Sequence, residues 1–174
     1  MKTITNKIML FLCLVAVTLT SSSCLKDDPL FDWSEAGVVI EMPYKSHYIL
    51  RDGVVPTKNQ DYVLRVNYTI SYASDNKNDI DVKLGVDESM VATYNAGLAS
   101  TTKKYVLLPA GTYKLPATVI KAGKQLVEEN MTVNTSTLKK GEKYLLPIKI
   151  VNVPEGYTIS GNFGHLYLRI HMKE

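Results

Sequence analysis

The sequence predicts an all-β fold: an antiparallel sandwich of about seven to nine strands with one short helical connection. Three observations predict it. Apolar residues recur at every second position in several stretches, turn dipeptides separate these stretches, and the composition of 45% hydrophobic and 21% charged residues is typical of a folded domain. The length of 174 residues fits one such domain with a leader and a tether.

The alternation indicates where the strands lie. It is clearest over 38–42, 62–72, 80–86 and 166–172, where one face of each strand would pack on a core and the other would meet water. Further strands are expected near 104–108, 117–121, 125–133 and 143–152. The predicted turns between strands are Asp52-Gly53, Asp75-Asn76, Ala110-Gly111, Ala122-Gly123, Lys140-Gly141 and Gly161-Asn162.

Three segments need separate comment. Residues 88–95 predict one or two helical turns, with Asp87 as the amino-terminal cap, Gly97 as the end, and Met90, Val91 and Tyr94 on one face. Pro147 lacks a backbone N–H, so its strand is predicted to be an edge there or to carry a bulge. The glycine-rich segment 161–164 is predicted to be a hairpin turn.

The amino terminus resembles a bacterial lipoprotein signal. A basic head precedes a 12-residue apolar run at 8–19, which is too short to span a bilayer comfortably, and small residues then lead to Cys24. This order resembles a lipobox, although Ser21 stands where an aliphatic residue is usual. We expect acyl chains such as palmitate on Cys24 and the domain boundaries 1–23 signal peptide, 24–35 lipidated tether and 36–174 sandwich. The alternative is a secreted protein with one stray cysteine; Cys13 is a poorer lipidation candidate.

The residues after Cys24 suggest a location. Lys26, Asp27 and Asp28 resemble the surface-export signal of glycan-foraging Gram-negative anaerobes, which implies the outer membrane with the domain facing the exterior. The alternative is an ordinary solvated tether. With Lys2 and Lys7 in the signal peptide, 18 of the 20 basic residues remain against 17 acidic ones, so the charge gives no reason to expect nucleic acid as a partner.

Three segments in order resemble a family of domains of unknown function. The segments are Val86-Asp87 through Tyr94-Asn95, Leu108-Pro109 with Tyr113 and 120–124, and Tyr144-Leu145-Leu146-Pro147-Ile148-Lys149-Ile150. The family stands at the front of surface lipoproteins in glycan-utilisation loci, in some cases ahead of a family 18 glycoside hydrolase, an endo-β-N-acetylglucosaminidase. The resemblance implies an immunoglobulin-like or Calx-β-like sandwich over about 36–174 and supplies no catalytic residue.

The sequence offers no catalytic or metal-binding pattern. The nearest match to a family 18 acidic series is Asp75, Asp79 and Asp81, but Lys83 stands where the acid would be needed. His47, His165 and His171 lack the spacing of metal ligands, and Cys24 is the only cysteine after the signal peptide. We therefore expect no enzyme activity, no cofactor and no metal.

Aromatic residues give the only cue to binding. Tyr62, Tyr68 and Tyr72 fall on the apolar face of their strand and are expected in the core, whereas other aromatic residues fall in turns or on polar faces. A ring with a polar tip suits the apolar face and hydroxyls of a sugar. The candidate glycan-binding residues are therefore Tyr44, Tyr48, Tyr157, Phe163 and Tyr167; the alternative is that they decorate the surface.

These observations lead to two hypotheses. The first is a non-enzymatic, lipid-anchored surface protein that binds an oligosaccharide or spaces another surface lipoprotein from the membrane. The alternative is an adhesin or fimbria-like structural subunit that assembles through an exposed strand edge.

Overall fold

A computed structural model describes residues 37–43, 48–56, 59–69 and 76–174. The predicted signal peptide, the tether, Cys24, Lys26, Asp27 and Asp28 lie outside these residues and remain predictions, as do Tyr44, His47, Tyr72 and Asp75. Within the described ranges, no helix has the length and apolar character needed to span a membrane.

Ten strands and one helix form in the described residues, which confirms the predicted all-β sandwich with a single helical connection. Strands β2 and β9 were not predicted. Together with the eight strands located from the sequence they make ten, one above the expected upper limit of nine. In chain order the elements are β1 (Val38–Glu41), β2 (Tyr48–Val54), β3 (Gln60–Thr69), β4 (Ile80–Val86), α1 (Ser89–Ala96), β5 (Val106–Leu107), β6 (Thr118–Ile120), β7 (Leu126–Val133), β8 (Lys143–Asn152), β9 (Tyr157–Ile159) and β10 (His165–Met172).

The strands form two sheets. Sheet I has the order β7-β3-β1-β9, and sheet II has the order β2-β10-β8-β4-β6 with β5 also paired to β8. Most neighbours are antiparallel as predicted, but β1–β9, β2–β10 and β5–β8 are parallel. Parallel partners cannot be joined by a tight hairpin, and each of these pairs is separated by a long stretch of chain.

The core lies between the inner faces of the two sheets. Strand β3 shows the alternation directly, since Tyr62, Leu64, Val66 and Tyr68 are buried while Asp61 and Val63 are exposed. The core placement predicted for Tyr62 and Tyr68 is therefore confirmed. Burying each such side chain stabilises the fold by roughly 1.5–3 kcal/mol. Sheet II contributes mainly the alternate residues of β8 and β10, from Tyr144 to Ile150 and from Leu166 to Met172.

The turn predicted at Asp52-Gly53 is wrong, because these residues form a bulge inside β2. Arg51 pairs with Ile170 and Val54 with Met172, so two residues of β2 lie opposite one residue of β10. Gly53 has φ 63°, a left-handed conformation that favours glycine. The Asp-Gly signal thus marks a bulge here and not the end of a strand.

The expectation that β8 is an edge at Pro147 holds locally, although β8 is a central strand elsewhere. Pro147 lies opposite Tyr167 of β10 on one side. On its other side, β4 ends with Val86 opposite Ile148, and β5 pairs with residues as far as Leu145. Asp87 N, just past the end of β4, donates to Pro147 O at 3.2 Å, so the missing N–H lies beyond the last pair of the β4–β8 ladder. The bulge in β8 occurs at Val151, since Lys83 pairs with Asn152 and Leu84 with Ile150.

The segment 161–164 is a turn but not the predicted hairpin. Strand β9 belongs to sheet I and β10 to sheet II, so this segment crosses between the sheets. Its backbone is tied to both sides: Met42 N donates to Phe163 O at 2.7 Å, and Ile150 N donates to Gly164 O at 2.8 Å. The crossing thus closes the end of the sandwich.

Gly164→Ala should destabilise the protein, because the added Cβ would collide with the carbonyl oxygen of Ser160 and lie 2.8 Å from Ile159 Cγ2. A backbone atom cannot move aside cheaply, so we expect the free energy of unfolding to fall by about 2 kcal/mol. Urea denaturation measures this. Gly161→Ala is the matched control, since nothing lies within 4 Å of its Cβ; equal losses from both variants would contradict the argument.

Candidate functional site

Helix α1 covers part of the outer face of sheet II. It begins one residue later than predicted, and Asp87 Oδ1 accepts hydrogen bonds from Ser89 N at 3.2 Å and Ser89 Oγ at 2.6 Å. Asp87 Oδ2 also contacts Lys149 Nζ of β8 at 2.7 Å. These contacts hold the pKa of the Asp87 carboxyl below its ordinary value, the Lys149 hydrogen bond being the largest cause. The start of the helix is thereby tied to the sheet.

The predicted apolar face of the helix packs on the sheet. Tyr105, Leu145 and Tyr167 are buried, and the partly buried side chains of Met90, Val91, Tyr94 and Leu98 pack against them. Leu145 and Tyr167 alternate with residues of the main core, so this second cluster lies on the opposite face of sheet II. Both sides of β8 and β10 are therefore covered at this point.

Aromatic side chains meet in this cover. The Tyr94 ring lies 4.8 Å from the Tyr167 ring and 5.4 Å from the Tyr105 ring between centroids, the latter pair edge to face. His165 packs edge to face on Tyr167 at 5.2 Å, and His171 lies 5.5 Å from Tyr105. Such pairs stabilise by about 0.5–1.5 kcal/mol beyond their burial. We call Tyr94, Tyr105, Tyr167, His165, Arg169 and His171 the outer-face cluster.

Polar contacts fix the segment that carries Tyr94 and Tyr105. Asn95 Nδ2 donates to Tyr105 O, and Tyr105 N donates to Asn95 Oδ1, both at 2.8 Å. Lys104 Nζ donates to Asn95 O and Leu98 O, both at 3.0 Å. A cation at the carboxyl end of a helix satisfies carbonyls that lack intrahelical partners and matches the negative end of the helix dipole.

A depression of about 580 Å³ opens at the edge of this cover. Tyr167 forms part of it and is only 8% exposed, whereas Tyr94 is half-buried. Arg169 Nη1 donates to Tyr94 Oη at 3.4 Å, and Arg169 also hydrogen-bonds to Tyr105. The lining residues are Thr93, Tyr94, Gly97, Leu98, Tyr167 and Arg169, so the described residues place an arginine and no carboxylate in its wall.

His171 links the cluster to β2. Its Nε2 lies 2.7 Å from Tyr105 Oη, and its Nδ1 lies 3.3 Å from Asp52 Oδ1. Burial is the largest cause that lowers the pKa of His171, Lys143 adds to it, and Asp52 opposes it. Burial also raises the pKa of the Tyr105 phenol. Because a raised pKa keeps the phenol protonated, Tyr105 is suited to donate a hydrogen bond and not to act as a nucleophile.

The structure separates the residues predicted to bind glycan. Tyr167 lines the depression, but Tyr157 packs against the core from sheet I and Phe163 lies in the segment that crosses between the sheets. The backbone of Tyr48 pairs with Tyr167, while its side chain and Tyr44 lie outside the described residues. The five residues therefore do not form one platform. Sequence analysis missed Tyr105 and Arg169, and it placed Tyr94 on the packing face of the helix without assigning it to a site.

Asp79, which directly precedes β4, is engaged in structural contacts. Asp79 Oδ2 contacts Lys121 Nζ at 2.7 Å, and Asp79 Oδ1 accepts from Ala122 N at 2.9 Å. The pKa of this carboxyl is lowered mainly by the Lys121 hydrogen bond, so Asp79 is ionised and holds the turn that follows β6. Across the part of the chain that the structure describes, no three His, Cys, Asp or Glu residues are grouped to hold a metal ion.

A comparison with protein families matches most of the chain. Residues 39–156 match the model of a family described as an N-terminal domain. A search of the curated proteins finds no match.

Solved structures share the fold. A candidate carbohydrate-binding protein from Bacteroides ovatus aligns with 78% of this chain and 37% of its own, at 20% identity and a TM-score of 0.57. The apo Calx CBD1 domain aligns over 79% of this chain and 99% of its own, at 10% identity and a TM-score of 0.51. EndoBT-3987 from Bacteroides thetaiotamicron, solved with a Man5GlcNAc product, aligns over 76% of this chain and 30% of its own, at 18% identity and a TM-score of 0.51.

These alignments establish an immunoglobulin-like sandwich of the Calx-β kind. The chain spans well under half of the length of the two Bacteroides proteins.

His171 should make the free energy of unfolding depend on pH below the ordinary histidine pKa of 6.5. Because its folded-state pKa lies below the ordinary value of 6.5, protonation favours the unfolded chain; its stabilisation is present above that value and is lost as the pH falls through the folded-state pKa. Urea denaturation at several pH values should show that the free energy of unfolding falls less with decreasing pH in His171→Gln than in the parent protein. The carboxyls of Asp79, Asp87 and Glu142 have lowered pKa values and titrate at lower pH, so the same pH dependence in both proteins would contradict the assignment.

Proposed function

This chain belongs to the family of N-terminal domains whose model matches residues 39–156, and from that premise we propose that it is a non-enzymatic, lipid-anchored protein of the cell surface. It serves a polysaccharide-utilisation system as an accessory domain that binds glycan or spaces a partner from the membrane. The family predicted from three sequence segments is confirmed by the match.

The observation that supports glycan binding most strongly is the depression in the outer-face cluster. Tyr94 offers a half-buried ring with a polar tip, and Arg169 and Thr93 add hydrogen-bond donors around it. Aromatic and polar groups in this combination suit the apolar face and the hydroxyls of a sugar ring. The carbohydrate-binding role suggested for the Bacteroides ovatus protein of the same fold is consistent with the proposal.

The state of the titratable groups supports a role without catalysis. Glycoside hydrolysis needs two carboxyl groups, one on each side of the glycosidic bond that is cleaved, and the group that acts as the acid has a raised pKa. In the described residues, the carboxyls with a resolved pKa shift, Asp79, Asp87 and Glu142, are all shifted downwards by lysine hydrogen bonds. Such groups are ionised at neutral pH and cannot serve as general acids.

The anchor and the location rest on the amino-terminal sequence. Cys24 follows an apolar run and small residues, and Lys26, Asp27 and Asp28 follow Cys24. Two or more acyl chains at this cysteine would hold the protein stably in a membrane. We propose the outer membrane as that membrane, with the sandwich facing the exterior, where it would meet polysaccharide or another surface lipoprotein.

The alternative of a strand-exchanging adhesin or fimbria-like subunit gains no support from the described strands. In this protein, β1 is paired with β3 on one side and with β9 on the other, so it is not a strand that another copy could receive. The edge strand β7 carries Glu128 and Glu129, and charges on an edge disfavour pairing with another chain.

Cys24→Ser should release the protein from the membrane fraction and abolish incorporation of a labelled fatty acid, because the thiol is the proposed attachment point. Cys13→Ser is the matched control and should change neither. The measurement is fractionation with metabolic palmitate labelling. Membrane association that survives Cys24→Ser would refute the anchor.

Tyr94→Ala should weaken glycan retention about tenfold, equivalent to 1.4 kcal/mol, through loss of the ring that faces the depression. Affinity gels that contain mannan, xylan or polygalacturonate measure the retention of the full chain purified in detergent. Tyr157→Ala removes a tyrosine from sheet I and should retain binding. If no polysaccharide retards the parent protein, direct glycan binding is refuted; if only Tyr157→Ala weakens retention, the site lies elsewhere.

A further inference from the structure

We propose that the depression beside α1 selects glycans that carry an anionic substituent, a carboxylate or a sulfate, and that the Arg169 guanidinium recognises it. This inference rests on the proposed glycan-binding function and specifies the class of ligand.

The wall of the depression contains one positively charged side chain among the described residues. Arg169 is the charged residue among the described residues that line the depression, beside the uncharged Thr93, Tyr94, Gly97, Leu98 and Tyr167. The planar guanidinium matches a carboxylate with two parallel hydrogen bonds and binds sulfate oxygens in the same way. Neutral sugars would use the tyrosine rings but would gain nothing from the charge.

The fold directs the Arg169 side chain to the depression. Leu168 and Ile170 point into the core, so the alternation of β10 directs Arg169 to the outer face. There Arg169 Nη1 donates to Tyr94 Oη at 3.4 Å, and the arginine is close enough to Tyr105 to oppose the rise in the pKa of its phenol. A side chain that is already ordered loses less entropy when it binds a ligand.

The carboxyl end of α1 also lies beside the depression. Gly97 and Leu98 lie just past the carboxyl terminus of α1, where the helix dipole is negative and would repel an anion. Lys104 Nζ offsets this, because it binds the carbonyl oxygens of Asn95, Leu98 and Ala99 at 3.0–3.4 Å. The ammonium therefore weakens the negative field of the helix end beside Arg169.

Two matched pairs of polymers test the inference with the full chain in detergent: polygalacturonate against its methyl ester, and dextran sulfate against dextran. We expect stronger retention of the anionic member of at least one pair, with loss of retention as salt is raised. The pair that responds distinguishes carboxylate from sulfate. Arg169→Gln should weaken this retention at least tenfold.

Arg65→Gln is the matched control, because it removes the same charge from the outer face of sheet I, where Arg65 pairs with Glu128. Equal effects of both variants would mean attraction to net charge and would overturn the inference. Thr93→Glu provides a second variant that does not depend on Arg169: it puts a negative charge on the exposed rim and should weaken retention of the anionic polymer only.

The outcomes separate this inference from the proposed function. Equal retention of both members of each pair, or retention of mannan and xylan alone, would overturn the inference and leave glycan binding standing. Failure to retain any of these polymers would overturn both.

Discussion

Burial of strand β8 on both faces is the constraint from which the candidate site follows. Tyr144, Leu146 and Ile148 face the main core, while Leu145, on the other face, is equally inaccessible to solvent. A sandwich covers only one face of each sheet, so a second layer is required over β8. Helix α1 and the segment to Tyr105 supply it, and the depression exists because this cover stops over the neighbouring strand β10.

Apolar packing and polar contacts contribute differently to this cover. Each buried side chain of the cluster stabilises the fold by roughly 1.5–3 kcal/mol, whereas an ion pair at the surface such as Asp87–Lys149 contributes little. The polar contacts of Asn95 and Lys104 therefore matter mainly for geometry. They join the carboxyl end of α1 to the segment that leads to Tyr105, beside Tyr94 in the wall of the depression.

The sequence predicted what depends on local pattern and missed what depends on sheet order. Regular alternation located β1, β3, β4 and β10. By contrast, β2 combines Ile49 and Leu50 with a bulge, and β9 has only three residues, too few to show a period. The outward side of Tyr167 and the packing face of Tyr94 were both predictable. Their contact was not, because it requires β10 to pair with β8 beneath the helix. The local edge at Pro147 was predictable from its missing N–H, but the change of partner that creates this edge was not.

The site and the core are separable because they use opposite faces of the same strand. On β10, Leu168 and Ile170 have no exposed surface, while Arg169 between them reaches the depression. A change at position 169 can therefore alter ligand preference without repacking the sandwich, since the side-chain period of a strand is two.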